Sequence, residues 1–276
     1  MALAGHALVA IWNDILPESR ADFFEWHPRE HMVERLGIPG FLRGRRCIAV
    51  DGGVEFLTLY EVSGTDVLAS DTYLQRVLNP TPWSSRVLPS FRNNVRGACD
   101  IVYSQGHAMG GFVHTLRLKA EPGREQALDR ALAQDVLPAL HELPHVCGVH
   151  YVVNDVALTA GNAGQQRGRT IGLPERIVLI EGISAAGVRD TVAAHLAADR
   201  LAALGAQADA EGALPARIQH PEPGPLKAPG RRVRRRDQRP STVVRRRNLS
   251  WLLNRKVSVN CAGWGSWAVL PNGAAR

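Results

Sequence analysis

The stretches LVAIWNDI (8–15), PESRADFFEWHPREHMVERLGIPGF (17–41), RRCIAV (45–50) and EFLTLYEV (55–62) read as strand, helix, strand, strand. The same order returns as FVHTLRLKA (112–120), PGREQALDRALAQDVLPALHELPHV (122–146), HYVVND (150–155) and ERIVLIEG (175–182). A slide of 105 residues sets Val9 on His114, Pro39 on Pro144 and Cys47 on Val152. The last strand needs a slide of 120, which sets Glu55 on Glu175 and Glu61 on Glu181, so the second copy carries 15 more residues in its hairpin. An internal repeat of this kind settles the architecture before any single element does.

Strand–helix–strand–strand–helix is the half-unit of a ferredoxin-like α+β fold. The sequence therefore predicts a first unit over 6–104, a second over 111–205, and a Pro/Gly linker with an Arg-rich tail over 206–276. Two such units can pack sheet to sheet and close a barrel with helices outside. FLTLYEV, apolar on both faces, suits a strand covered on both sides. Within the first unit, Pro17 opens the helix, Pro28 interrupts it, and Asp51-Gly52-Gly53 turns the hairpin. A second helix over 66–78 breaks at NPTPW (79–83) and resumes to Phe91, and CDIVYS (99–104) is a short closing strand. The hairpin segment 157–174, rich in Gly and polar residues, reads as a loop.

The net charge of +7 is unevenly placed. From Pro225 onward there are 13 Lys/Arg and one acid, a segment of +12, whereas residues 1–224 hold 20 basic and 25 acidic side chains. The tail has no periodic apolar pattern and is expected to be disordered. Its arginines could touch nucleic acid only through non-specific phosphate contacts. No run of about 18 apolar residues exists, so no membrane partner is expected. Cys47, Cys99, Cys147 and Cys261 show no CxxC or other metal-ligand spacing, which suits reduced thiols in a cytoplasmic protein. No GxGxxG with a following acid, Walker motif or nucleophile elbow occurs, which disfavours nucleotide cofactors.

Chemistry concentrates on the first helix. At helical spacing His27 and His31 share a face, and an imidazole titrates near neutral pH, so either could move a proton. The helix holds no HExxH motif, and neither His27-x-x-x-His31 nor the irregular HELPHVCGVH (141–150) nominates a full ligand set, so no metal is expected. In the second copy Trp26, His27 and His31 become Ala131, Leu132 and Val136, and Arg46 becomes Tyr151. The site is thus written once. Arg46, at the start of the second strand, offers a planar fork to a carboxylate or enolate. Tyr60 could hydrogen-bond a carbonyl; Trp12 is a candidate cavity wall; Trp83 and Arg86 are candidates for its rim.

The segment WHPREHMVERLGIPGFLRGRR (26–46), with Tyr73 and PTPW (80–83), resembles the dimeric α+β barrel superfamily, nearest its EthD-like branch. Members carry an aromatic and then a Glu-His pair on the first helix, followed by Pro-Gly-Phe and a basic strand start. The resemblance covers about 6–104 in motif and 111–205 in topology only. It implies a tandem, pseudo-dimeric barrel and a small cofactor-independent enzyme of cyclase, isomerase, decarboxylase or monooxygenase type. The substrate would be a hydrophobic aromatic or polyketide-like acid or ketone. His31 would be the general acid/base, with His27 or Tyr60 orienting the carbonyl and Trp26, Arg46, Trp83, Arg86 and Trp12 around the substrate. A small hydrophobic molecule and a second copy of the chain are the implied partners. A non-catalytic ligand-binding protein, or a haem-binding barrel using His31, are the other readings of the same scaffold.

Overall fold

The computed structural model describes residues 1–50, 53–161 and 171–208. The Arg-rich tail from 209 onward, and the expectation that it is disordered, lie outside the described residues. The first half runs β1 (Ala7–Ile15), α1 (Arg20–Trp26), a π-helical turn (His27–His31), α2 (Met32–Leu36), β2 (Phe41–Ile48), β3 (Phe56–Val62), α3 (Asp71–Leu78), α4 (Pro82–Val87) and β4 (Phe91–Gly106). The second half runs β5 (Phe112–Ala120), α5 (Glu125–Ala131), a second π-turn (Leu132–Val136), α6 (Leu137–His141), β6 (Val146–Asn154), α7 (Val156–Gly161) and β7 (Arg176–Gly182). Two further helices, Ala185–His195 and Ala198–Ala203, lead to β8 (Ala206–Ala208).

All eight strands belong to one antiparallel sheet in the order β2-β3-β1-β4-β6-β7-β5-β8. Each run of four has the ferredoxin-like order, but the halves are not two separate sheets. β4 is 16 residues long, far beyond the short strand expected at 99–104. Its Phe91–Asp100 stretch pairs with β1, and its Cys99–Gly106 stretch pairs with β6 on the other edge. Residues 206–208, read from composition as linker, form the strand that pairs with Leu118–Ala120. Part of the segment read as a loop at 157–174 is helix α7, whose Leu158 packs against the first half's core.

The sheet curls on itself. Arg45 on β2 pairs with Glu181 on β7, although four strands lie between them in the sheet order. Laid flat, strands five steps apart would sit about 24 Å from each other. Arg117 of β5 likewise lies 5.5 Å from the Trp12 ring of β1. The inner face is a single core of Leu8, Ala10, Trp12, Leu57 and Leu59 with Val113, Val152, Ile177 and Leu179. The outer face of each half carries its own helices. Leu128, Leu132, Leu137 and Leu140 cover the second half, while Met32, Leu36, Tyr73 and Val77 cover the first. Every residue of β3 and β7 is buried, as strands sandwiched between the two layers must be.

The halves agree in local detail beyond strand order. The π-turns at His27–His31 and Leu132–Val136 stand 105 residues apart. So do Gly40 and His145, both with positive φ (93° and 71°), in the turns Ile38-Pro39-Gly40-Phe41 and Leu143-Pro144-His145-Val146. A residue at positive φ after a proline is what a type II turn requires. Glycine meets that requirement freely, and histidine tolerates it at a cost. Among the described residues no helix is long and apolar enough to cross a membrane.

The Arg45–Glu181 pair is the polar tie across the inner face. Glu181 is 1% exposed and accepts also from the Gly110 amide at 2.9 Å, with His150 Nε2 at 3.4 Å. Burial alone would raise its pKa, but Arg45 and His150 outweigh burial and hold it far below the carboxylate range. Stability from this group is therefore fully present above its unfolded pKa of about 4.3 and is lost as pH falls below it. Arg45→Ala strands the buried carboxylate and should cost about 3–5 kcal/mol at pH 7. The gap between wild type and variant in urea unfolding should narrow at pH 3, where the stranded Glu181 takes up a proton. A pH-independent gap would show that the pair is not ionic.

Candidate functional site

Pro28 lacks the amide that an α-helix needs at this position, and the chain widens into a π-turn in which Met32 N–H bonds to the His27 carbonyl. Such turns break the simple four-residue register of a helix face. The two histidines remain neighbours, with ring centroids 5.6 Å apart, yet they serve different surroundings. His27 is buried against Phe23, with Nε2 3.4 Å from Thr58 Oγ1. His31 lines a cavity.

The His31 ring stacks on Trp26 with centroids 4.4 Å apart. Trp26 is itself fixed, because its indole Nε1 donates to Glu30 Oε1 and Ser84 Oγ, both at 3.1 Å. Glu30 also accepts from Thr81, which caps α4, so its carboxylate ties the first helix to α4 and does not bond His31. His31 Nδ1 has no hydrogen-bond partner among the described residues, and Glu34 Oε2 stands 4.0 Å away. Burial first, then Arg35 and His27, push the His31 pKa well below its usual value. Burial and Arg46 do the same to His27. Both imidazoles are neutral at pH 7.

The cavity, of about 120 Å³, lies between the outer face of the first half's sheet and the helices that cover it. An engineered cavity of about 150 Å³ holds benzene, so this space takes roughly one aromatic ring. A haem does not fit within it. Val9, Ile11 and Phe41 give it apolar walls, and Tyr60, Arg35 and Arg96 give it polar ones. The Tyr60 hydroxyl is buried without a hydrogen-bond partner among the described residues, and burial raises its pKa above that of an ordinary phenol. Tyr60 is therefore a protonated donor. Arg96 Nη2 donates to the Tyr73 hydroxyl at 3.2 Å. The second half supplies one wall: Gly172 N–H bonds to Asn94 O at 2.8 Å, Arg96 N–H bonds to Gly172 O at 2.9 Å, and the adjoining Ile171 lines the cavity.

Of the residues singled out from sequence, His31 and Tyr60 meet at this cavity. Trp26 stands behind His31 and does not line it. Arg46 lies over the Phe23, Phe24 and Phe56 rings at 5.1, 4.9 and 5.8 Å, so its charge is spent on aromatic faces. Trp83 and Arg86 both bind Asp22, at 2.8 and 2.9 Å, and Arg86 is exposed. Trp12 points to the opposite face of β1, into the core between the halves. Sequence reasoning did not select Arg96, Arg35 or Glu34. The late start assigned to β4 left Arg96 in a presumed loop, where an arginine carries no signal. In the second half, Leu132 fills the core at the His27 position, and Tyr151 donates to Asp129 where Arg46 would stand. Among the described residues no group of His, Cys, Asp and Glu is placed to hold a metal ion.

No protein-family model matches the sequence, and no curated protein matches it. Solved structures do. An anthrone oxidase-like protein superposes with a TM-score of 0.49 at 12% identity, over 77% of this chain and 88% of that one. A protein named "putative monooxygenase" from Fusobacterium nucleatum subsp. nucleatum ATCC 25586 gives 0.48 at 7% identity, over 79% and 93%. Another of that name, from Lactobacillus acidophilus NCFM, gives 0.44 at 11% identity, over 72% and 85%.

The depressed histidines set an acid limit on stability. An unfolded histidine takes up a proton near pH 6.5, whereas folded His27 and His31 stay neutral until well below it. Stability therefore falls as pH drops below about 6.5, by up to about 1.4 kcal/mol per pH unit for each group. His27→Leu, the second half's own residue, should unfold at a similar urea midpoint at pH 7.5 and a higher one than wild type at pH 5.0. Equal midpoints at pH 5.0 would mean that His27 is already protonated in the folded chain.

Proposed function

We propose that the protein is a small cofactor-independent enzyme of the α+β barrel type that removes a proton beside the carbonyl of an aromatic or polyketide-like acid or ketone. One observation carries this reading. A neutral imidazole, held in plane by Trp26 and with Nδ1 unbonded among the described residues, lines the same one-ring cavity as an unbonded phenol donor, Tyr60. His31 Nδ1 takes the proton from the α-carbon; the electron pair moves onto the carbonyl oxygen; Tyr60 O–H donates to the enolate so formed. Reprotonation at another carbon completes an isomerisation, and attack of the enolate carbon on a second carbonyl completes a ring closure. The burial that keeps His31 neutral keeps it competent as a base at mildly acidic pH. The second half, which we infer to be a duplicate of the first, has lost these groups and serves as support; the paired π-turns and matching positive-φ turns favour that descent. His27, Trp26 and Arg46 act from behind the cavity as packing.

Proton exchange provides the test. Phenylpyruvate, benzoylacetate and 1-indanone in deuterated buffer should include at least one compound whose α-proton exchanges faster with the protein than without it. His31→Gln should slow that exchange at least tenfold, about 1.4 kcal/mol of transition-state stabilisation, with the urea midpoint at pH 7.5 retained. Tyr60→Phe should slow it by a smaller factor. The rate should hold level from pH 8 to 6, because the base titrates lower. No exchange on any of the three compounds, or exchange unchanged in His31→Gln, would overturn the reading in favour of a non-catalytic ligand-binding barrel.

A further inference from the structure

Arg96 sits on β4 beneath the helices of the first half and is 4% exposed. Its side chain lines the cavity, donates one hydrogen bond from Nη2 to the Tyr73 hydroxyl at 3.2 Å, and leaves Nη1 with no partner among the described residues. No carboxylate among the described residues forms an ion pair with it. That is unusual, because guanidinium groups taken out of water are nearly always paired. The arrangement is destabilising unless something supplies the missing charge.

The remaining charges around the space do not supply it. Glu34 is the acid in the lining, and its Oε2 stands 3.8 Å from Arg35 Nη1 and 4.0 Å from His31 Nδ1. Arg76 adds a third arginine toward the exposed rim. With His31 neutral, three cations face one anion across walls that are otherwise apolar. The other buried arginines among the described residues each have an acid or an aromatic face: Arg45 has Glu181, Arg176 has Asp129, Arg46 lies on three aromatic rings and Arg117 on Trp12. Arg96 stands apart, and it stands at the cavity.

We propose that the cavity is an anion-binding site whose ligand is a single-ring aromatic carboxylate, with the carboxylate received by Arg96, held in place by Tyr73, and the ring lying against Val9, Ile11 and Phe41. Arginine's planar fork matches a carboxylate's two oxygens. The apolar walls and the volume of about 120 Å³ match one ring. This rests on the reading of the cavity as a substrate site and narrows it, choosing the acid over the neutral ketone and Arg96 over Arg46 as the group that recognises it. The second half takes part, since the backbone of Arg96 is pinned by Gly172 and the neighbouring Ile171 closes the wall.

Benzoate and its neutral isostere benzamide separate charge from shape. Titration calorimetry on the full chain at pH 7.5 should show one saturable benzoate site and at least tenfold weaker benzamide binding. Arg96→Gln should weaken benzoate at least tenfold and change benzamide less than threefold. Arg96→Met should raise the Tm of the empty protein by about 2–4 °C, as expected when an unpaired buried charge is removed. His31→Gln should leave benzoate affinity within threefold, so loss of proton exchange with benzoate binding intact separates the base from the anion site. Benzamide binding as tightly as benzoate, no benzoate binding at all, or a lower Tm in Arg96→Met with benzoate affinity unchanged would each overturn the proposal.

Discussion

The fold hangs on one strand. β4 must satisfy backbone hydrogen bonds on both edges, and it does so with two different partners along its length, β1 for its first ten residues and β6 for its last eight. That shared strand makes one sheet out of two ferredoxin-like halves. The right-handed twist of adjacent strands then accumulates, until the inner faces of the halves meet over Trp12, Leu57, Ile177 and Leu179. That contact is an apolar core shared by the two halves. The cavity lies instead under the helices of the first half, where β4 delivers Arg96 to it.

Helix periodicity placed His27 and His31 on one face, and the π-turn separates their tasks. The same turn recurs in the second half, where no histidine needs it and where Pro138 follows at the start of α6. Each turn is accompanied by a proline that cannot donate to the preceding turn, Pro28 in one half and Pro138 in the other. The distortion is therefore common to both halves, and in the first it carries the histidines beside the cavity. What differs is the filling. Ala131, Leu132 and Val136 stand in the second half where Trp26, His27 and His31 stand in the first, a loss of both volume and polarity.

Much of the architecture was legible because it is repetitive: strand order, the Pro-containing turns at 38–41 and 143–146, and the largely apolar β3 and β7 all appear twice. The misreadings fall where the pattern is unique or polar. Phe91–Asn94 begins β4 with Arg92, Asn93 and Asn94, and Asn93 adopts φ +50°, so this stretch carries turn chemistry inside a paired strand. Val156–Gly161 belongs to the 15-residue insertion, which has no counterpart to align with. At the site, His31 and Tyr60 followed from residue type, whereas Trp12 had the wrong parity on β1. Arg46 went astray for another reason: composition cannot show that three phenylalanines await it.

The 15 additional residues of the second hairpin make the two halves inequivalent. Helix α7 packs on β4, Asn154 bonds to Pro174 O and to the Ala98 amide, and Gly172 joins the backbone beside Arg96. The bonds to Ala98 and Arg96 run from the second half into the first half's cavity wall. The second hairpin thus completes the wall of the first half's cavity. Around the cavity the first half supplies His31, Tyr60 and Arg96, while the second half contributes an aliphatic core and the strap beside β4. In the second half the helices close directly on the sheet through Leu128, Leu132, Leu137 and Leu140, an aliphatic packing that leaves its apolar area fully buried.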